Sequence, residues 1–98
     1  MKVYISGAIT GRNIKKATTH FCRMEKSLSR NHKVVNPLKL KHKKKSTWNE
    51  YMRVDLKALL GCDAIYMLNG WMLSRGSRIE YILAKELGLK IYYECQSA

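Results

Sequence analysis

The sequence predicts an α/β fold in which four parallel strands form one sheet with helices on both faces. Three observations point there. Short apolar, β-rich runs begin near Val3, Val34, Ala64 and Leu89. The stretches between them carry apolar residues at spacings of three and four, and clusters of Gly, Ser, Asn or Pro separate the two patterns. Strands that alternate with helices in this way pair in parallel through right-handed crossovers.

The first strand covers Val3 to Ile5 and breaks at Ser6-Gly7, with Gly11 further along the same loop. A helix starts behind Asn13 as its cap, and Ile14, Ala17, Phe21, Met24 and Leu28 make one apolar stripe opposite Lys15, Lys16, Arg23 and Lys26. Val34 and Val35 form a short second strand, stopped by Asn36-Pro37. In "STWNEYMRVDLKALLG", Ser46 or Thr47 caps a second helix, Gly61 stops it, and Trp48, Tyr51, Met52, Leu56, Leu59 and Leu60 fall at helical spacing. Ala64 to Leu68 is unbroken apolar, as a strand buried on both faces requires. In the third helix Ile79, Ile82, Leu83 and Leu87 are expected to face the core; Gly88 ends it, and "LKIYY" supplies the last strand.

At 98 residues, the chain is expected to be one domain, residues 1–98, near the lower size at which a core holds without staples. Self-association is therefore expected. Cys22, Cys62 and Cys95 are odd in number and far apart, without a C-x-x-C pair, which argues against a disulfide framework and a zinc site. They are expected to be reduced thiols in a cytoplasmic protein. No apolar run approaches the ~20 residues of a membrane span, and "MKVYISGAI" lacks the flanks of a secretory signal, so a soluble protein without a membrane partner is expected.

A formal charge of +12 favours anionic partners without choosing among them. Five lysines fall within the seven residues Lys39 to Lys45, a run that reads either as a solvated loop or as a contact for nucleic acid. No aromatic residue interleaves that run, as base stacking would need.

Ligands of open parallel sheets bind beyond the carboxyl ends of the strands. The "SGAITGR" loop after the first strand and the "NGWMLSRGS" loop after the third both lie there. Gly7 and Gly11 let backbone N–H groups approach a ligand, and Arg12 adds charge at the following helix; the spacing matches neither a Walker loop nor a dinucleotide fingerprint. Ser74, Gly76 and Ser77 offer hydroxyls and N–H groups at a second helix start, with Arg75 and Arg78 beside them. Ile9 in the first loop, with Asn69 and Trp71 in the third, are further candidates for substrate contact. Glu80, three residues past Ser77, has two readings: a capping box with Ser77, or a carboxylate held ionised by the helix N-terminus and able to attack carbon. The seven acids include Glu50; Glu25, Glu86 and Glu94 fit polar surface, and Asp63 lies at the amino end of its strand. Asp55 has no helix-neighbour cation at a favourable spacing, so Asp55 and Glu80 form a candidate carboxylate pair of the kind glycosidic cleavage uses.

"YISGAITGR", "DLKALLGCDAIYML" and "SRGSRIEYILA" resemble, in that order, motifs of the nucleoside 2-deoxyribosyltransferase family and its 2'-deoxynucleoside 5'-monophosphate N-glycosidase branch, together with short relatives frequent in phage and bacterial genomes. The resemblance spans Lys2 to about Ile91. It implies a Rossmann-like three-layer sandwich, a glutamate nucleophile at Glu80, and Asp55 as the aspartate that engages sugar or base. It further implies Tyr4 beside the nucleophile, and a 5'-phosphate held by Ser6, Gly7, Gly11, Arg12, Ser74 and Gly76. No metal or organic cofactor is implied. A dimer or larger homo-oligomer is implied, because in the family a neighbouring subunit completes the site. Two positions depart from the family: Ile82 stands where a glycine is frequent, and Arg78 where the N-glycosidase branch has a small residue, so that Arg78 either binds phosphate or obstructs the sugar. The expected function is cleavage or transfer at the N-glycosidic bond of a deoxynucleoside or its 5'-monophosphate. The alternatives are a non-catalytic nucleotide-binding protein and a nucleic-acid binder using Lys39 to Lys45.

Overall fold

The computed structural model describes residues 1–9 and 12–94; Gly11 and Cys95 lie outside them. Four strands, β1 (Lys2–Ser6), β2 (Lys33–Val35), β3 (Ala64–Met67) and β4 (Lys90–Tyr93), form one sheet in the order β2-β1-β3-β4. All three pairings are parallel, with Tyr4 opposite Val35 and Ile65. The helices are α1 (Ile14–Leu28), α2 (Trp48–Leu60) and α3 (Arg75–Glu86). The fold is a Rossmann-like three-layer sandwich.

Chain direction across the sheet reverses between β1 and β3. Right-handed crossovers then put α1 on one face and α2 with α3 on the other. The two apolar clusters follow that division. Ile5, Phe21 and Leu68 lie under α1, while Tyr4, Leu59, Ile65, Met67 and Ala84 lie under α2 and α3. Alternation along β1 is the cause, because successive side chains of a strand point to opposite faces.

Local chemistry explains the helix ends. Asn13 caps α1 by accepting from the N–H groups of Lys15 and Lys16, and Thr47 with Glu50 makes a full capping box on α2. Gly61 ends α2. Gly88, two residues beyond α3, takes φ +74°, a conformation that favours glycine. Leu68 lies just past β3, although its N–H still donates to Ser6 O.

The expected inner face of α3 is corrected. Ser77, Glu80 and Ala84 are buried, with Tyr81 and Leu83 half-buried, whereas Ile82 and Leu87 are 58% and 54% exposed. In α2, Met52, Asp55 and Leu59 are buried, while Trp48, Tyr51 and Leu60 are exposed. In both helices an acid occupies the inner face, among positions that helical spacing alone assigns to apolar side chains. Among the described residues, no helix is long and apolar enough to cross a membrane.

Candidate functional site

Two-residue alternation in β1 points Tyr4 and Ser6 to the same side, under α3. At that place Glu80 enters from the second turn of α3. Its carboxylate accepts a hydrogen bond from the Tyr4 hydroxyl at 2.5 Å and from the Ser6 hydroxyl at 2.7 Å. Glu80 is 5% exposed, and Tyr4 and Ser6 are fully buried.

This arrangement overturns the Ser77–Glu80 capping box. Ser74 is the N-cap of α3, accepting from the Ser77 N–H at 3.2 Å. Glu80 is thereby placed one turn further into the helix, where β1 takes its carboxylate. "SRGS" contains two serines able to cap, and packing against β1 selects the first.

Burial pushes the Glu80 carboxyl up to about 7, with the nearby Asp55 charge raising it further and the Tyr4 and Ser6 hydrogen bonds acting against the shift. The expectation of a carboxylate held ionised by the helix N-terminus is therefore corrected: desolvation outweighs the donors, and Glu80 is divided between its two protonation states near neutral pH. Tyr4 is raised well above its ordinary value by burial and by the Glu80 charge, so its hydroxyl keeps its proton and donates.

Glu80 forms the floor of a cavity of about 350 Å³. Tyr4, Gly7, Ile9, Asp55, Ser74, Gly76 and Ser77 line it, as do Ile14, Pro37, Leu38, His42, Trp48, Tyr51 and Met52. Gly7 is required by close approach of two chain segments: a Cβ there would meet Leu68 Cβ and Cδ1 at 3.0 Å. A Cβ on Gly76 would sit 3.0 Å from Met52 Sδ, so this glycine lets the start of α3 pack on α2. The Ser77 side chain is 2% exposed, and its Oγ has no hydrogen-bond partner among the described residues.

Asp55 reaches the cavity from α2 and accepts from His42 Nε2 at 2.9 Å. Burial raises the Asp55 carboxyl, and the His42 hydrogen bond opposes the rise. The His42 ring stacks on Tyr51, with centroids 4.1 Å apart. Sequence reasoning missed His42 because it sits inside the lysine run. The signal available was an imidazole among ammonium groups, the one side chain of that run with a ring nitrogen able to donate to or accept from a facing group.

Four expected contacts lie elsewhere. Arg12 and Asn69 line a separate groove on the other side of the sheet. Trp71 stacks on Tyr81 at 4.7 Å. Arg78 donates to Met72 O at 2.7 Å and does not line the cavity. Arg75 lies beside Trp48 of the cavity lining, its guanidinium 4.2 Å from the ring centroid. Among the described residues, no cluster of three His, Cys, Asp or Glu side chains is placed to hold a metal.

Residues 1–93 match the family described as "Domain of unknown function (DUF4406)", and the chain belongs to that family. A comparison with the curated proteins found no match.

Proposed function

We propose that this protein cleaves or transfers the N-glycosidic bond of a deoxynucleoside or its 5'-monophosphate, with Glu80 as the nucleophile. The observation that carries the reading is a buried carboxylate at the floor of a cavity, gripped by two hydroxyl donors, with a second acid and a histidine facing the same space. The motif resemblance in "YISGAITGR" and "SRGSRIEYILA" supports it from an independent direction.

In this mechanism the ionised Glu80 attacks C1' of the sugar. A carbon–oxygen bond forms as the carbon–nitrogen bond breaks, and the electron pair leaves with the base. Proton transfer to the departing base falls to the Asp55–His42 pair, whose members are 2.9 Å apart. Water or a second base then opens the glycosyl ester. Tyr4 and Ser6 fix the rotamer of the nucleophile. Tyr51 and Trp48 line the cavity and are each covered on one face only, by His42 and Arg75 respectively, which suits a planar base on the other. Ser74, Gly76 and Gly7 present hydroxyl and backbone groups to a 5'-phosphate beside the start of α3.

Arg78 motivated the alternative of binding without turnover, because it stood where it could obstruct the sugar. Its guanidinium turns to Met72 O, outside the cavity, which removes that motive. Ile82 faces outward and leaves the cavity unaltered. Self-association belongs to the same proposal: Met72, Leu73 and Ile82 expose apolar surface on α3 and the turn before it.

The test is incubation with the four deoxynucleosides and their 5'-monophosphates, with and without a free acceptor base, followed by chromatography for released base. Acid-quenched protein is analysed in parallel for a deoxyribosyl mass on the peptide containing Glu80. Base release with that adduct supports the proposal. Tight nucleotide binding without release over long incubation contradicts it and favours a sequestering protein.

A further inference from the structure

A second groove, of about 610 Å³, lies on the α1 side of the sheet. Arg12, Lys15, Lys16, Thr19, His20, Arg23, Asn69 and Glu94 line it, and its floor is braced. Arg12 donates to Ala8 O and to His20 Nδ1, each at 3.3 Å. Because an arginine can only donate, His20 Nδ1 is the acceptor and the Nε2–H points to Glu94 at 2.9 Å. Glu94 also accepts from the Asn69 N–H at 2.8 Å. The single carboxylate of the groove is thus turned inward and used up in tying α1 to the ends of β3 and β4.

The cations at the rim have no such partners. Among the described residues, no acid pairs with Arg12, Lys15, Lys16 or Arg23. Lys15, Lys16 and Arg23 are exposed on the outer side of α1. From Lys15 to Arg23 the helix rises about 12 Å, more than one phosphate group can span. A chain of repeated phosphates meets all three charges, and a mononucleotide meets one or two. In the lysine run Lys39 is tied to Glu25 at 2.8 Å and His42 to Asp55, while Lys41, Lys43, Lys44 and Lys45 pair with no acid among the described residues, so the run is the competing surface that the test must separate. Among the described residues no Tyr, Trp or Phe lines the groove as a platform for base stacking, which leaves the phosphate contacts as its main feature.

We propose that the α1 groove is a docking surface for the phosphodiester backbone of a nucleic-acid strand, held by Lys15, Lys16 and Arg23 without regard to sequence. This surface is on the opposite face from the Glu80 cavity and stands whether or not Glu80 is a nucleophile.

The test is fluorescence anisotropy with a short labelled single-stranded DNA of mixed sequence, titrated between about 50 mM and 200 mM salt. The protein is compared with the combined variant Lys15→Gln, Lys16→Gln, Arg23→Gln and with Lys43→Gln, Lys44→Gln, Lys45→Gln; circular dichroism verifies folding. Removing three phosphate contacts should lower the log–log salt slope by about 2, at roughly 0.7 per contact on a single strand, and weaken binding at least tenfold at the lower salt. The lysine-run variant should keep most of the slope. An unchanged slope in the α1 variant, a loss confined to the lysine-run variant, or no binding at low salt overturns the proposal. Displacement of the strand by inorganic phosphate at millimolar concentration overturns it too, by showing a site for a single anion. If the α1 variant does not fold, charge reversal at Lys16 alone (Lys16→Glu) replaces it, with the same reduction in slope expected on a smaller scale.

Discussion

The Glu80 cavity and the α1 groove lie on opposite faces of one sheet, and each contains a carboxylate near the strand ends. Glu80 is closed in by two hydroxyls, and burial raises it to about 7. Glu94 is held by His20 and a backbone N–H, at the edge of a basic groove. Hydroxyl donors leave the acid its reactivity, since they neither neutralise it nor fully offset desolvation. Hydrogen bonds from an imidazole N–H and a backbone N–H make the other acid a brace. Among the described residues no lysine or arginine lines the Glu80 cavity, whereas Arg12, Lys15, Lys16 and Arg23 line the groove. Net charge therefore says nothing about the buried acid.

The largest effect that separates these two acids is on turnover. Glu80→Gln should lower N-glycosidic cleavage by about a thousandfold or more, as loss of a nucleophile does elsewhere, while Glu94→Gln should leave turnover within a few fold. Steady-state rates on whichever substrate the panel identifies decide this. Equal losses in the two variants would break the comparison.

Next comes the dependence of stability on pH. The Glu80 carboxyl is raised from 4.5 to about 7 on folding, so between these values the folded protein binds more protons than the unfolded chain. Stability contributed by this group is fully present below about 4.5 and is lost as pH rises through about 7. The loss by pH 8 is on the order of 3 kcal/mol, at about 1.4 kcal/mol for each pH unit. Urea titrations should show a fall of that size between pH 5 and pH 8, and Glu80→Gln should flatten it. A wild-type curve that is already flat contradicts the burial argument. The same ionisation predicts a rate whose rising limb runs through about pH 7, and Tyr4→Phe, by removing a donor that favours the charged form, should move that limb to higher pH.

Smaller effects sharpen the packing side. Gly7→Ala forces a Cβ to 3.0 Å from Leu68 and should cost about 1–3 kcal/mol in chemical denaturation. Ser77→Ala removes a buried hydroxyl that has no partner, so it should be neutral or slightly stabilising. If it weakens nucleotide binding at the same time, the Ser77 hydroxyl serves the ligand rather than the fold.

Much of the fold was legible because each level agreed. Asn13 and Thr47 cap, Gly61 and Gly88 punctuate, and the unbroken Ala64–Met67 run becomes a strand with three of its four residues buried. The candidate site was legible at Tyr4, Glu80 and Asp55, which line one cavity, because an acid interrupts an apolar pattern or a motif carries a resemblance. What local pattern could not give was the direction of α3. Ile82 and Leu87 looked like core because apolar spacing is the usual guide, yet the inner face is Ser77, Glu80 and Ala84. The partners that decide this, Tyr4 and Ser6, lie 76 and 74 residues away in the chain. His42 was hidden for a related reason: its partner Asp55 is 13 residues distant and on another element. Arg12 and Asn69 were placed near the substrate by loop position, but the sheet separates their groove from the cavity.

The measurement that tests the central claim most directly is released base from the substrate panel at pH 7.5 to 8, where Glu80 is mostly ionised, for the wild-type protein and Glu80→Gln side by side, with both shown to be folded. The account predicts release of base by the wild-type protein and none by the variant. Release that persists in Glu80→Gln, or its absence from every substrate with the wild-type protein, would contradict it and leave Glu80 as a buried acid that fastens α3 to β1.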